Sequence, residues 1–310
     1  MTMEIATYGE ARIHEELVQE LRRLGIDEPI GRIDDMSADA LGQVRVIFGW
    51  RIPQAVIDGC PHLAWIQGAG AGVDWLLPVR LPNSVVVTRI VDQFGPDMGE
   101  FALLAALQWV KNWPRVLDQQ RHREWKPWLV GELSSKTVGV LGAGSIGAHV
   151  AHVFRPLVDE VRALGRRQPS LEGIRGFGEE DAEAFYRGLD ILVVVLPHTE
   201  RTYHLVGSRE LGLMNHGGYL INVGRGAVLD EGALIEAVQQ GVLSGAALDV
   251  QETEPLPWDS PLWTLPGVTV SPHISGPSRR RGMAAVFADN IRRFRQGSPL
   301  MGVVDRTRGY

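Results

Sequence analysis

Short runs of apolar and β-branched residues alternate along most of this chain with longer stretches whose apolar positions recur every three or four residues. That alternation predicts a parallel α/β architecture. In the first hundred residues the strand-like runs are Met3–Thr7, Val44–Phe48, Leu63–Gln67 and Val85–Thr88, with helices between them such as Ile13–Leu24. They read as one small α/β domain ending near Met98-Gly99-Glu100. A helix pattern then runs from Glu100 through Val110, and its period would place Trp109 and Trp113 on one face, with Pro114 kinking or ending the helix. Trp125 and Trp128 follow in a polar stretch. These four indoles fit a core or subunit interface, where Trp is enriched, better than a ligand wall.

A second α/β block starts at Lys136. Its strand-like runs are Thr137–Leu141, Glu160–Leu164, Ile191–Leu196, Gly218–Val223, Gly245–Val250 and Val268–Ser271, a number that suits a doubly wound sheet. The last helix pattern, Met283–Arg295, leads back to the first domain. The expected organisation is a discontinuous domain of residues 1–99 plus 284–310, an inner domain of residues 100–283, and a cleft between them.

Composition narrows the class. A length of 310 residues suggests two domains of about 150 residues. Hydrophobic content of 45% and charged content of 22% are those of a globular chain with ordinary cores. The formal charge of −6 argues against nucleic acid as the main partner. A single cysteine, Cys60, excludes an intrachain disulfide and fits a reducing compartment, most simply as a buried inert thiol. The N-terminal Met1–Ala6 has neither a basic region nor a long apolar core, and Ile191–Leu196 is far shorter than the ~18 residues that span a bilayer. A cytoplasmic protein without a membrane partner is expected.

The run Thr137–Leu141 leads into Gly142-Ala143-Gly144-Ser145-Ile146-Gly147, followed by a helix pattern through Val150, Val153 and Phe154. Strand, glycine loop and helix in this order read as a dinucleotide site: a tight turn at Gly142, close approach to a pyrophosphate at Gly144, and helix–strand contact at Gly147. Free N–H groups at the helix start would face the phosphates. The second strand ends in Leu164-Gly165-Arg166-Arg167-Gln168, with no carboxylate to bond a ribose 2′-hydroxyl. Two guanidiniums there favour a 2′-phosphate, hence NADP(H), with NAD(H) as the alternative. His149 and His152 share a helix face but lack a third ligand, so no metal site is expected.

Three residues carry reactive chemistry. Arg225 lies just beyond the strand ending at Val223, Glu254 in the loop after Gly245–Val250, and His273 after Pro272 at the end of the last strand. All three are expected at one sheet edge, where open α/β sheets hold ligands. His273 would protonate the oxygen of a carbonyl receiving hydride, Glu254 would favour and orient the protonated ring, and Arg225 would bind a carboxylate or keto oxygen. Asp249 either contacts the nicotinamide ring or caps a turn. From the outer domain, Gln67-Gly68-Ala69-Gly70-Ala71-Gly72-Val73-Asp74 offers backbone N–H groups for a substrate carboxylate, with Trp50 as a further wall candidate.

These motifs resemble those of the D-isomer-specific 2-hydroxyacid dehydrogenases, most closely the glyoxylate/hydroxypyruvate reductase A group. The resemblance rests on Gly70-Ala71-Gly72-Val73-Asp74, Met98-Gly99-Glu100, Gly142–Gly147, Leu196-Pro197, Asn222-Val223-Gly224-Arg225-Gly226, Leu248-Asp249-Val250, Glu254-Pro255-Leu256-Pro257, Ser260-Pro261-Leu262-Trp263, Pro272-His273 and the ending Asp305–Tyr310. It implies two Rossmann-like or flavodoxin-like domains, the outer binding substrate and the inner the dinucleotide. It implies Arg225 as substrate binder, Glu254 paired with His273, and His273 as acid/base. Leu196, Pro197 and Thr202 would line the cofactor cleft beside Val223 and Gly224, and two copies would join through their cofactor domains. The expected function is reduction of glyoxylate, hydroxypyruvate or a similar 2-oxo acid. The alternatives are a relative acting on another donor, such as formate or phosphite, and a nucleotide-sensing, corepressor-like binding protein. Arg279-Arg280-Arg281 could influence substrate choice, but suits a solvated basic surface better.

Overall fold

The computed structural model describes residues 4–76 and 78–309. Met3 of the first expected strand, with Met1 and Thr2 before it, and Tyr310 of the terminal motif lie outside the described residues. The chain forms two compact units, Met1–Phe94 with Ser278–Tyr310, and Gly95–Pro277.

Every strand of both sheets runs parallel to its neighbours. The first unit contains β1 (Glu4–Tyr8), β2 (Ile30–Arg32), β3 (Val44–Gly49), β4 (Trp65–Gly68) and β5 (Val86–Thr88), in the order β2-β1-β3-β4-β5. The second contains β6 (Thr137–Leu141), β7 (Glu160–Leu164), β8 (Arg175–Phe177), β9 (Ile191–Val194), β10 (Gly218–Asn222), β11 (Leu243–Leu248) and β12 (Val268–Val270). Its order, β12-β11-β10-β9-β6-β7-β8, reverses direction beside β6, the place where doubly wound sheets bind ligands. In chain order the helices are α1 (Ala11–Arg23), α2 (Ala38–Leu41), α3 (Gln54–Asp58), α4 (Gly95–Val110), α5 (Trp113–His122), α6 (Ser145–Phe154), α7 (Ala182–Tyr186), α8 (Ser208–Leu213), α9 (Glu231–Gln239) and α10 (Arg280–Gln296).

Central strands such as β9 and β10 are buried along their whole length, which explains the unbroken apolar sequence of β9 and the apolar run of β10 up to Asn222. β2 and β8 escaped the sequence reading. Each is a three-residue edge strand, Ile-Gly-Arg or Arg-Gly-Phe, with none of the β-branched alternation that marks a strand. The tryptophan helix also differs from expectation. It breaks at Asn112, whose φ of 50° is left-handed, so Trp109 and Trp113 belong to different helices. Pro114 lies in the first turn of α5, where its missing N–H has no intrahelical acceptor to lose, and so opens a helix instead of ending one. Trp109 stacks on Tyr219 at 5.3 Å and donates to Ser244 Oγ, whereas Trp113 is about half exposed. Cys60 is buried, and that burial pushes its thiol pKa up.

A buried polar chain organises the first unit. Trp65 Nε1 donates to Thr88 Oγ1 at 2.8 Å, and Thr88 donates to Gln67 Oε1 at 2.8 Å. Asn290 of α10 donates to the same Gln67 oxygen at 3.0 Å and to the Met301 carbonyl at 3.0 Å, while Met301 N–H returns a bond of 2.8 Å to Asn290 Oδ1. Gln67, Thr88 and Asn290 are wholly inaccessible to solvent, so a lost partner has no water to replace it. Asn290→Ala is therefore expected to destabilise the first unit by about 2–3 kcal/mol, read as a lower urea midpoint. An unchanged midpoint would contradict this account of the network.

Candidate active site

β6 delivers the chain into the glycine loop. Gly142 has φ of 109°, and a side chain at Gly147 would overlap the Gly142 carbonyl oxygen. A Cβ at Gly144 would instead meet nothing within 4 Å, so the loop presents bare backbone to open space. Gly144 is also the N-cap of α6 and no side chain caps that helix end, leaving its first N–H groups available to a pyrophosphate. Beyond β7, Arg166 and Arg167 are exposed and have no hydrogen bond or ion pair among the described residues. This donor set fits a dinucleotide carrying a 2′-phosphate.

Leu196 and Pro197 follow β9. Leu196 stands against Gly142, and a Cβ at Gly224 would come within 2.7 Å of the Leu196 carbonyl oxygen, which brings the glycine loop and the arginine loop to the same edge. Thr202 donates to the Pro197 carbonyl at 2.7 Å and accepts from Thr199 N–H at 2.8 Å, so its hydroxyl holds this turn. Val223 is buried, its N–H bonded to the Val194 carbonyl at 3.1 Å.

Arg225 is set by the fully buried Asn222, whose side-chain amide donates to the Arg225 carbonyl and accepts from Gly224 N–H, both at 3.1 Å. Arg225 Nη1 itself donates to the Gly224 carbonyl at 2.8 Å. A Cβ at Gly226 would overlap the Gln251 backbone, so the loop bearing Arg225 and the loop bearing Glu254 touch main chain to main chain.

His273 Nδ1 lies 2.9 Å from Glu254 Oε2. An ionised carboxylate only accepts, so Nδ1 carries the proton and donates. Burial works against the Glu254 charge. The hydrogen bond and charge of His273, the Gln251 N–H and the charge of Arg225 outweigh it, and hold the carboxyl below its ordinary value. The pair is half-open, with the His273 side chain 44% and Glu254 26% exposed. His273 has φ of 54°, uncommon for any residue with a side chain.

Asp249 explains how that conformation is held. Its side chain is wholly buried. Oδ1 accepts from Ser271 Oγ at 2.6 Å and Ile274 N–H at 2.9 Å, Oδ2 accepts from Ser275 N–H at 2.8 Å, and its carbonyl accepts from His273 N–H at 2.9 Å. Of the two sequence readings of Asp249, the structure displays the turn cap. Asn222 and Ser271 were missed as organisers; only the polar residue at each strand end hinted at them.

In the first unit, the Trp50 ring lies on Gly70, where a Cβ would come within 2.6 Å of Cζ3. Val73 points into the core, leaving its main chain to serve a ligand, while Ala71 and Gly72 are partly exposed. Arg280 bonds Glu16 at 3.1 Å, and Arg279 and Arg281 flank it. Among the described residues no group of three or more His, Cys, Asp or Glu is placed to hold a metal ion, and no helix is long and apolar enough to cross a membrane.

The chain is similar to known proteins along most of its length. The profile of the D-isomer specific 2-hydroxyacid dehydrogenase NAD binding domain matches residues 103–275. Glyoxylate/hydroxypyruvate reductase A of Serratia proteamaculans (strain 568) is 34% identical over 269 residues, 84% of this chain and 86% of that protein. The corresponding protein of Klebsiella pneumoniae (strain 342) is 31% identical over 298 residues, 94% of this chain and 95% of its own. Among solved structures, a D-isomer specific 2-hydroxyacid dehydrogenase from Xanthobacter autotrophicus Py2, in complex with NADPH and MES, superposes with a TM-score of 0.91 at 32% identity, over 99% of this chain and 100% of that one. An NADPH-dependent glyoxylate/hydroxypyruvate reductase from Sinorhizobium meliloti, in complex with NADP and sulfate, gives 0.90 at 27% identity, over 99% and 100%. Sequence and structure agree that the chain belongs to the D-isomer specific 2-hydroxyacid dehydrogenase family.

Proposed function

We propose that the protein is an NADPH-preferring reductase of glyoxylate, hydroxypyruvate or a similar 2-oxo acid. The Glu254–His273 pair, 2.9 Å apart at the edge that also carries Arg225 and the glycine loop, is the observation on which this reading rests. The second unit is the dinucleotide-binding domain, with Gly142, Ala143, Gly144, Ser145, Ile146 and Gly147 at the pyrophosphate and Arg166 and Arg167 at the 2′-phosphate. Leu196, Pro197, Thr202, Val223 and Gly224 complete that site, and Asp249 braces the turn that carries His273. A bound nicotinamide supplies hydride to the keto carbon. With Nδ1 engaged by Glu254, His273 offers Nε2–H to the oxygen on which negative charge develops. Arg225 holds the substrate carboxylate or keto oxygen through planar, paired donors. The first unit is the substrate-binding domain, contributing Trp50 and the main chain of Ala71, Gly72 and Val73.

The same reading includes a homodimer joined through the second unit. Leu104, Leu107, Trp113, Leu117, Trp125 and Leu129 on and after α4 and α5 are exposed, Trp125 by 94% and Leu129 by 98%, an apolar stripe that a second copy would cover. A cytoplasmic location is supported by the single buried thiol.

Three outcomes test the proposal. Wild-type enzyme is expected to turn over at least one 2-oxo acid with NADPH, and His273→Ala to lose about 10²–10⁴-fold in kcat; a panel with no turnover refutes the function. Arg166→Ala with Arg167→Ala should raise KM for NADPH at least tenfold while leaving KM for NADH within about twofold; equal effects on both remove the 2′-phosphate assignment. Glu254 has a depressed folded pKa, so its stabilising charge is present above its ordinary 4.5 and is lost only as pH falls through the lower folded value. Glu254→Gln should therefore flatten the acid limb of unfolding stability, followed by urea unfolding of wild type and variant across the acid range.

A further inference from the structure

A second cluster of charged groups lies beside the catalytic pair, and none of its members has a part in the proposed reaction. Glu231 opens α9, and Glu252 follows β11 two residues before Glu254. Each donates its backbone N–H to the other's side chain: Glu231 N to Glu252 Oε1 at 3.2 Å, and Glu252 N to Glu231 Oε1 at 2.8 Å. His204 Nε2 stands 2.8 Å from that same Glu252 oxygen, a close contact not aligned as a hydrogen bond. The His204 backbone N–H bonds the Ala227 carbonyl at 2.8 Å, and the Tyr203 ring stacks on the imidazole at 4.0 Å. Three segments that are distant in sequence thus meet at one knot: the turn after β9, the loop leading from Arg225 into α9, and the loop from β11 to Glu254.

Two neighbouring carboxylates repel, and holding them together requires compensation. Burial pushes the Glu231 carboxyl up and the Glu252 charge adds to it, while the Glu252 N–H and His204 pull it down. The reciprocal N–H to carboxylate hydrogen bonds fix both backbones, and Gln251 carries that constraint onward. Its N–H bonds Glu254 Oε1 at 3.3 Å, and its side-chain amide donates to the Leu248 carbonyl at 3.1 Å and the Ser271 carbonyl at 3.4 Å. Gln251 is therefore pinned between the knot and the catalytic carboxylate.

We propose that His204, Glu231 and Glu252 form a positioning clamp that holds Glu254 in register with His273. The clamp rests on the 2-oxo acid reductase reading and acts only through Glu254. Glu252→Ala removes the hydrogen bond from Glu231 N–H and the contact to His204, and is expected to lower kcat about tenfold with KM for the 2-oxo acid nearly unchanged. Glu252→Gln keeps an oxygen for Glu231 N–H and should recover most of that loss. The deciding measurement is a double-mutant cycle. In a Glu254→Gln background, where no carboxylate remains to be positioned, Glu252→Ala should cost less than twofold.

A loss of equal size in both backgrounds, or an unchanged kcat in Glu252→Ala, overturns the clamp. Should Glu252→Ala fail to fold, His204→Asn in the same cycle carries the test, with the same two outcomes decisive. Absence of wild-type turnover on every 2-oxo acid would instead strike the reductase reading, so the two failures are distinguishable.

Discussion

A buried carboxylate must be satisfied by its neighbours, and the conformation of the reactive edge follows from how Asp249 meets that requirement. It is wholly inaccessible to solvent, and its acceptors are filled by one hydroxyl and two backbone N–H groups of the segment 271–275. Those bonds leave little freedom for the residue between them. His273 adopts a left-handed φ because both sides of it are tied to one side chain, and its own N–H is tied to the Asp249 carbonyl. An unmet buried acceptor costs about 1–3 kcal/mol, comparable to the strain of such a backbone, so the clamped geometry prevails.

The rest of the edge is built by close approach of main chain. Parallel strands bring the ends of β6, β9, β10, β11 and β12 to one side. Gly142, Gly224 and Gly226 then let their loops meet with no intervening side chains. Asn222, buried at the end of β10, bonds the loop of Gly224 and Arg225, and Asp249, buried just beyond β11, bonds the segment 271–275. The reactive groups thus sit on short, cross-braced loops, the kind of support that keeps a catalytic constellation in place.

Much of this was legible in the sequence, for identifiable reasons. β6 and β7 were read with their observed bounds because each is a five-residue apolar-rich run with a turn signal after it. The Glu254–His273 contact could be anticipated because each residue follows a strand of the same parallel sheet. What could not be read depended on partners far along the chain. Asp249 was ambiguous because its ligands lie 22 to 26 positions away, and the Glu231–Glu252 exchange joins residues 21 apart with no motif to announce it. Pro114 was misread because proline is compatible with either end of a helix, and only the left-handed Asn112 decides which.

The Asn290 network also dictates an order of assembly during synthesis. Gln67 leaves the ribosome 223 residues before the asparagine that completes its bonding, and Met301 emerges later still. The whole of Gly95–Pro277 is contiguous and can close on itself in the interval. The nascent first unit therefore waits with an unfinished interior while the second acquires its sheet, so the half of the protein made first is the half that finishes last.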